Sequence, residues 1–177
     1  MIDVAANPSD AVEKALDLFG NDILRLAYSY MKSREDAEDI VQEVLIRFMQ
    51  SAGVFEDEKH EKAWLLKVAA NLCKDKLKSV SRQKEVAIPE GYDVADEKQQ
   101  HSEESDIFQI LSQLPEKYRS AIHLYYYEEY SVKEIAEILQ KKETTIRSLL
   151  KRGREKLAGI LSQQKQMKGD DGHAAGI

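Results

Sequence analysis

Ser131-Val132-Lys133-Glu134-Ile135-Ala136-Glu137-Ile138-Leu139, a polar break Gln140-Lys141-Lys142-Glu143, then Thr144-Thr145-Ile146-Arg147-Ser148-Leu149-Leu150-Lys151-Arg152-Gly153-Arg154-Glu155-Lys156-Leu157: the fold turns on this stretch. Ser131 and Glu134 stand at capping-box spacing, with the serine oxygen able to accept from the Glu134 N–H while the glutamate reaches back to the serine N–H. A helix is expected to begin there, burying Val132, Ile135, Ala136 and Leu139. A second follows the break, with Ile146, Leu149 or Leu150, and Leu157 turned inward. Helix, tight turn, helix is a geometry that places its second member in the DNA major groove. Arg147, Ser148, Lys151 and Arg152 lie at i, i+1, i+4 and i+5 on one solvent-facing arc. Arginine and lysine can donate to guanine O6 and N7, and serine suits several base edges. The alternative is a plain helical hairpin with a cationic exterior. The capping box, short turn and basic second helix together favour DNA binding.

Working outward, apolar residues recur at helical spacing in Ala11, Val12, Ala15, Leu16 and Phe19, in Ile23, Leu24, Leu26, Ala27 and Tyr30, and in Ala37, Ile40, Val41, Val44, Leu45 and Phe48. These predict three helices, and a fourth is expected over about 62–79. From 85 to 106 there are eight acidic residues and one lysine, with Pro89 and Gly91 inside and almost no apolar periodicity. The expectation is an all-α chain of two small helical domains, residues 8–84 and 107–162, joined by a flexible acidic linker at 85–106 and followed by a disordered tail at 163–177.

The 177 residues carry a formal charge of −6 at a mean hydropathy of −0.53. No apolar run approaches the roughly 18–20 residues of a spanning helix, and the first residues lack the basic start and apolar stretch of a secretory signal. A cytoplasmic location is expected. One cysteine, Cys73, cannot form an internal disulfide, and four scattered histidines do not have zinc-site spacing. Eight glycines and three prolines amount to about half the usual combined share of roughly 12%, which also points to helix. Charge is segregated. Residues 62–84 hold seven basic residues and one acid, 141–156 hold seven against two, and 35–58 hold eight acids and one arginine. In a chain that is acidic overall, these local basic stripes matter more for polyanion binding than the net charge.

The acidic block contains an amphipathic helix over 36–48. With Ile40, Val41, Val44 and Phe48 buried, Asp39, Gln42, Glu43, Ile46 and Gln50 share the outer face, and an acid-rimmed hydrophobe suggests a protein partner with a basic surface. Reading Asp36, Asp39 and Glu43 as a metal cluster is disfavoured, because no histidine, phosphate loop or nucleophile–base pair accompanies them. On the next helix Asn71 can make paired hydrogen bonds to a base, while Lys67, Lys74, Lys78 and Arg82 line the basic side. Trp64 could stack on a base, but its place in the apolar series favours packing.

Residues 130–157 resemble region 4 of bacterial sigma factors, through Glu134-Ile135-Ala136 with Leu139, Thr145-Ile146-Arg147-Ser148 and Arg152-Gly153-Arg154, preceded by Leu114-Pro115-Glu116-Lys117-Tyr118-Arg119. The chain departs from the family in having Gln140, Lys141 and Lys142 where a glycine, an aliphatic residue and a serine are usual, and Leu149 where a basic residue is common. Asp36-Ala37-Glu38-Asp39-Ile40-Val41-Gln42-Glu43 is similar to region 2.2, and 62–75, with Trp64-Leu65 and Asn71, to regions 2.3 and 2.4. Two motif sets in this order with no intervening third domain resemble the extracytoplasmic-function (ECF) type. The resemblance implies a sigma factor that binds core RNA polymerase at the β′ clamp and the β flap, recognises a two-part promoter and assists its opening. Core-binding candidates are Asp36, Asp39, Gln42, Glu43 and Ile46. Downstream-element candidates are Lys67, Asn71, Lys74, Lys78 and Arg82, with the 55–61 segment as the loop that cradles a flipped base. Upstream-element candidates are Thr145, Arg147, Ser148, Lys151, Arg152 and Arg154. Partners are core polymerase, promoter DNA and an anti-sigma factor. No catalytic residue, metal, cofactor or small-molecule substrate is expected. The alternatives are a stand-alone helix-turn-helix regulator and a protein-interaction adaptor.

Overall fold

A computed structural model describes residues 1–51, 53–86 and 110–170. Helix α1 spans Pro8–Met31, α2 Arg34–Gln50, α3 Glu58–Val86, α4 Glu116–Ile122, α5 Val132–Leu139 and α6 Glu143–Asp170, with a π-helical turn at His123–Tyr127 after α4. A two-residue ribbon pairs β1, Ile2–Asp3, antiparallel with β2, Val54–Phe55, in the register Ile2 to Phe55 and Asp3 to Val54. The all-α expectation holds.

Two of the expected helices are one. Proline at its start and the left-handed Lys32 (φ 57°) at its end bound α1, and Gly20 inside it does not break it. A glycine costs a helix about 1 kcal/mol against alanine, but Gly20 is buried, and an added Cβ would lie 2.9 Å from Cδ1 of Leu16, one turn earlier on the same helix. Ser33 caps α2, its Oγ accepting from Asp36 N at 3.3 Å, with Glu35 and Asp36 complementing the helix dipole. Helix α6 corrects the expected tail, running to Asp170 instead of stopping at 162. Between Ser162 and Lys168 nothing breaks a helix, and Gln, Lys and Met are good formers. Residues 171–177 lie outside the described residues, as does the linker beyond Val86.

In the first unit Ile23, Leu26, Ile40, Val44, Phe48, Leu65, Leu66 and Ala69 are buried where α1, α2 and α3 meet. Phe48, Phe55 and Trp64 form a mutual ring cluster, each centroid pair 5.8 Å apart, so Trp64 packs rather than stands free. Cys73 is buried, which pushes its thiol up to about 12 and leaves it unreactive. The second unit buries Leu114, Tyr118, Leu124, Ile135, Ile138, Leu139, Ile146 and Leu150. The two units also touch, α3 against α5 and α1 against α4.

Candidate nucleic-acid interface

The local chemistry read from Ser131 is present in full. Ser131 N donates to Glu134 Oε2 at 2.8 Å, and Glu134 N donates to Ser131 Oγ at 3.3 Å. Helix α5 ends at Gln140, which adopts the left-handed conformation (φ 54°, ψ 48°), and Lys141 N donates back to Ala136 O at 2.9 Å. A Schellman-like reversal thus closes α5 with glutamine in the position that glycine fills without strain. Lys142 O then accepts from Ile146 N at 3.1 Å as α6 begins.

The apolar seam of α6 consists of Ile146, Leu149, Leu150 and Gly153, all buried, so both leucines of the pair turn inward. Gly153 makes the close approach possible, since an added Cβ there would lie 2.7 Å from Ile122 Cδ1 and 3.3 Å from Tyr118 Cβ. Fixing that seam turns Thr145, Arg147, Ser148, Lys151, Arg152 and Arg154 to solvent. At 3.6 residues per turn Arg147, Lys151 and Arg154 fall on one line, and Ser148 and Arg152 on the next. Arg147 Nη2 pairs with Glu143 Oε2 at 2.9 Å, and Ser148 Oγ donates to Thr144 O at 3.0 Å. Arg154 Nη1 reaches Tyr126 OH at 3.4 Å. Tyr126, exposed beside the basic helix, is a residue that sequence reasoning missed, because the π-turn that brings it there has no apolar period.

On α3, Lys67, Asn71, Lys74 and Lys78 fall at three- and four-residue spacing along one stripe. The first three are half-buried and Lys78 is exposed; Arg82 lies on the same helix. Lys74 Nζ donates to Leu139 O, at the end of α5, at 3.1 Å. Burial lowers its ammonium pKa, and Lys141 nearby adds repulsion. The 55–61 segment is only partly loop: Phe55 is buried, Asp57 caps α3 by accepting from His60 N at 2.8 Å, and Glu58 to Glu61 form the first turn. Glu61 is buried, and this burial raises its carboxyl pKa.

Helix α2 presents the outer face expected of it. Asp39, Gln42 and Ile46 are exposed, Asp36 and Glu43 half-exposed. Lys76 Nζ lies 2.6 Å from Asp36 and 3.7 Å from Asp39, and Arg47 pairs with Glu43 at 2.9 Å. Met49, three residues beyond Ile46 and equally exposed, extends the apolar patch; the same spacing that marked Ile46 could have found it. Among the described residues no helix is long and apolar enough to cross a membrane.

A capped helix pair with a basic outer arc, beside a helical unit carrying its own cationic stripe, defines a two-unit helical DNA-binding protein. Residues 16–83 match sigma-70 region 2 and residues 105–157 match sigma-70 region 4. SigW of Bacillus subtilis (strain 168), an ECF RNA polymerase sigma factor, is 33% identical over 169 residues, covering 87% of this chain and 90% of its own. SigM of the same organism is 29% identical over 86% of this chain and 96% of its own. The chain belongs to the ECF sigma factors of the sigma-70 family. Its fold is shared with the sigma factor RpoE of Bartonella quintana, solved with the anti-sigma factor NepR (TM-score 0.68, 24% identity, covering 85% of this chain and 96% of that one). CnrH, solved with the cytosolic domain of CnrY, is also similar (TM-score 0.64, 19% identity, 90% and 92% covered).

Proposed function

We propose that this sigma factor binds core RNA polymerase through the outer face of α2 and directs it to a two-part promoter, reading the upstream element with α6 and holding the opened downstream strand along α3. The observation that carries the reading is the division of labour on α6: a seam from Ile146 to Gly153 is buried, and the cations opposite it are left to solvent. On such a helix Arg147, Ser148, Lys151 and Arg152 are placed to meet base edges, while Arg154 and Lys156 meet phosphates. The acid-rimmed Ile46 suits a basic helical partner such as the β′ clamp, and a β flap contact through the second unit completes the docking. An anti-sigma factor is proposed as a regulator because the similar RpoE and CnrH structures each hold a second protein, for RpoE an anti-sigma factor. The protein acts in the cytoplasm as an initiation factor and not as an enzyme.

Run-off transcription with purified core polymerase and a promoter template tests the proposal. Promoter-specific transcripts that need both proteins are expected. Tight, sequence-specific operator binding by the free chain, with no polymerase-dependent transcript, would favour a stand-alone regulator.

A further inference from the structure

A charged seam joins the two units, and none of the roles above uses its centre. Lys62 Nζ on α3 lies 2.9 Å from Asp22 Oδ2 on α1 and 2.7 Å from Glu128 Oε2, just after the π-turn. The Glu128 side chain is 3% exposed, and its other oxygen lies 3.4 Å from Nε2 of His123, which is fully buried. To one side Lys59 Nζ meets Glu134 Oε1 at 2.5 Å, on the glutamate that also closes the α5 capping box. To the other, Lys74 is held by the Leu139 carbonyl.

The backbone that aims Glu128 is unusual. Residues 123–127 form a π-turn, Glu128 N donates to His123 O at 3.2 Å, and Glu129 follows in the left-handed region (φ 55°). Non-glycine residues enter that region at a cost, and π-turns concentrate at functional sites. The same turn also leads the chain into α5, with Tyr130 N donating to Leu124 O at 3.0 Å. Its geometric result is to present a carboxylate to the α1–α3 groove.

We infer that the seam is an autoinhibitory latch. Lys62, clamped between Asp22 and Glu128, holds the helix-turn-helix unit of the free chain against α3, and in this closed state Lys74 serves a backbone carbonyl instead of nucleic acid. A buried ion pair adds little net stability compared with its two solvated halves, but removing one half leaves a costly charge behind. A joint whose ion pairs contribute little net stability can open without a large loss, which suits a latch better than a permanent joint. Because the Lys74 contact lies at its edge, opening the seam frees the cationic stripe of α3 for a strand. The closure itself does not depend on the proposed promoter role; only its consequence for the downstream element does.

Zero-length carbodiimide cross-linking of the intact chain, read by mass spectrometry, tests the latch without polymerase or DNA. Carbodiimide activates a carboxylate, a touching amine displaces the activating group, and an amide forms with net loss of water. In the wild type an amide between Lys59 and Glu134 is expected, beside an internal reference amide between Lys14 and Glu58, which lie 3.2 Å apart within the first unit. Glu128→Lys, which sets a second cation against Lys62, should lower the Lys59–Glu134 yield relative to Lys14–Glu58 by about tenfold or more, the scale of losing one buried charge-assisted contact. Lys62→Gln, a smaller change that keeps the side-chain bulk, should act in the same direction. Both variants should also bind a short single-stranded oligonucleotide several-fold more tightly than the wild type. An unchanged cross-link ratio in both variants, or no Lys59–Glu134 amide in the wild type, overturns the latch. A lost cross-link without tighter oligonucleotide binding keeps the closure but refutes its inhibitory role, and so bears on the proposed use of α3 separately.

Discussion

Replacing Ile46 with lysine separates partner binding from folding on a single helix. Ile46 is 46% exposed on α2, while Phe48, two residues on, is fully buried against Phe55 and Trp64. Removing a half-exposed isoleucine in favour of another good helix former should change stability by no more than about 0.5 kcal/mol. Phe48→Ala deletes a ring from the middle of an aromatic cluster and should cost about 3–5 kcal/mol, lowering Tm by roughly 12 °C or more for a unit of this size. For association the order reverses. Covering the exposed half of an isoleucine contributes about 1 kcal/mol, and a cation facing a basic partner adds a comparable penalty, so Ile46→Lys should weaken core polymerase binding by roughly thirtyfold. The assay is a binding titration of labelled chain against core enzyme, paired with thermal melting by circular dichroism. Unchanged core affinity in Ile46→Lys, or a melting loss as large as that of Phe48→Ala, would refute the assignment of this face.

On α6, Arg147→Ala should cost about 1–3 kcal/mol on the preferred upstream sequence and relax preference at one position, whereas Arg154→Ala should weaken all sequences alike and reduce the salt slope by about 1, measured for the holoenzyme by competition binding across salt concentrations. Gln140→Gly should stabilise the second unit by about 0.5–1 kcal/mol, because glycine meets the left-handed turn (φ 54°) without the Cβ penalty; denaturant unfolding checks this. Closure should not respond to mild acid. Burial alone would raise the Glu128 carboxyl, but the hydrogen bonds from His123 and Lys62 outweigh it and bring the pKa down from 4.5 to about 2. Lys62 from α3, with Asp22 of α1 behind it, and His123 and Tyr130 from its own unit are the groups that face it. A carboxyl depressed in the folded state contributes fully above its ordinary value of 4.5 and loses that contribution as pH falls through about 2. The radius of gyration from solution scattering should therefore match at pH 7 and pH 5 and rise only near pH 2–3.

What could be read from the chain alone was what local rules decide. The Ser131–Glu134 box, the α6 seam and the outward side of α2 each depend on residues within two turns of one another, so 3.6-residue periodicity and capping chemistry were enough to place Arg147, Lys151, Gln42 and Ile46. The same rules erred where a local signal had an unseen tertiary partner. The apolar series ending at Phe19 and starting at Ile23 read as two helices, yet α1 runs unbroken through Gly20 from Pro8 to Met31, and the segment 55–61 reads as loop until Asp57 caps a helix inside it. The β1–β2 ribbon has two residues per strand, too few to show a period, and its partners are 53 positions apart from Ile2 to Phe55. The seam between the units was decided only by folding: Lys74 and Leu139 are 65 positions apart, and Asp22, Lys62 and Glu128 are ordinary charges on three separate segments. No spacing rule relates them, because their meeting depends on which helix faces the cores leave outward and how those faces fit together.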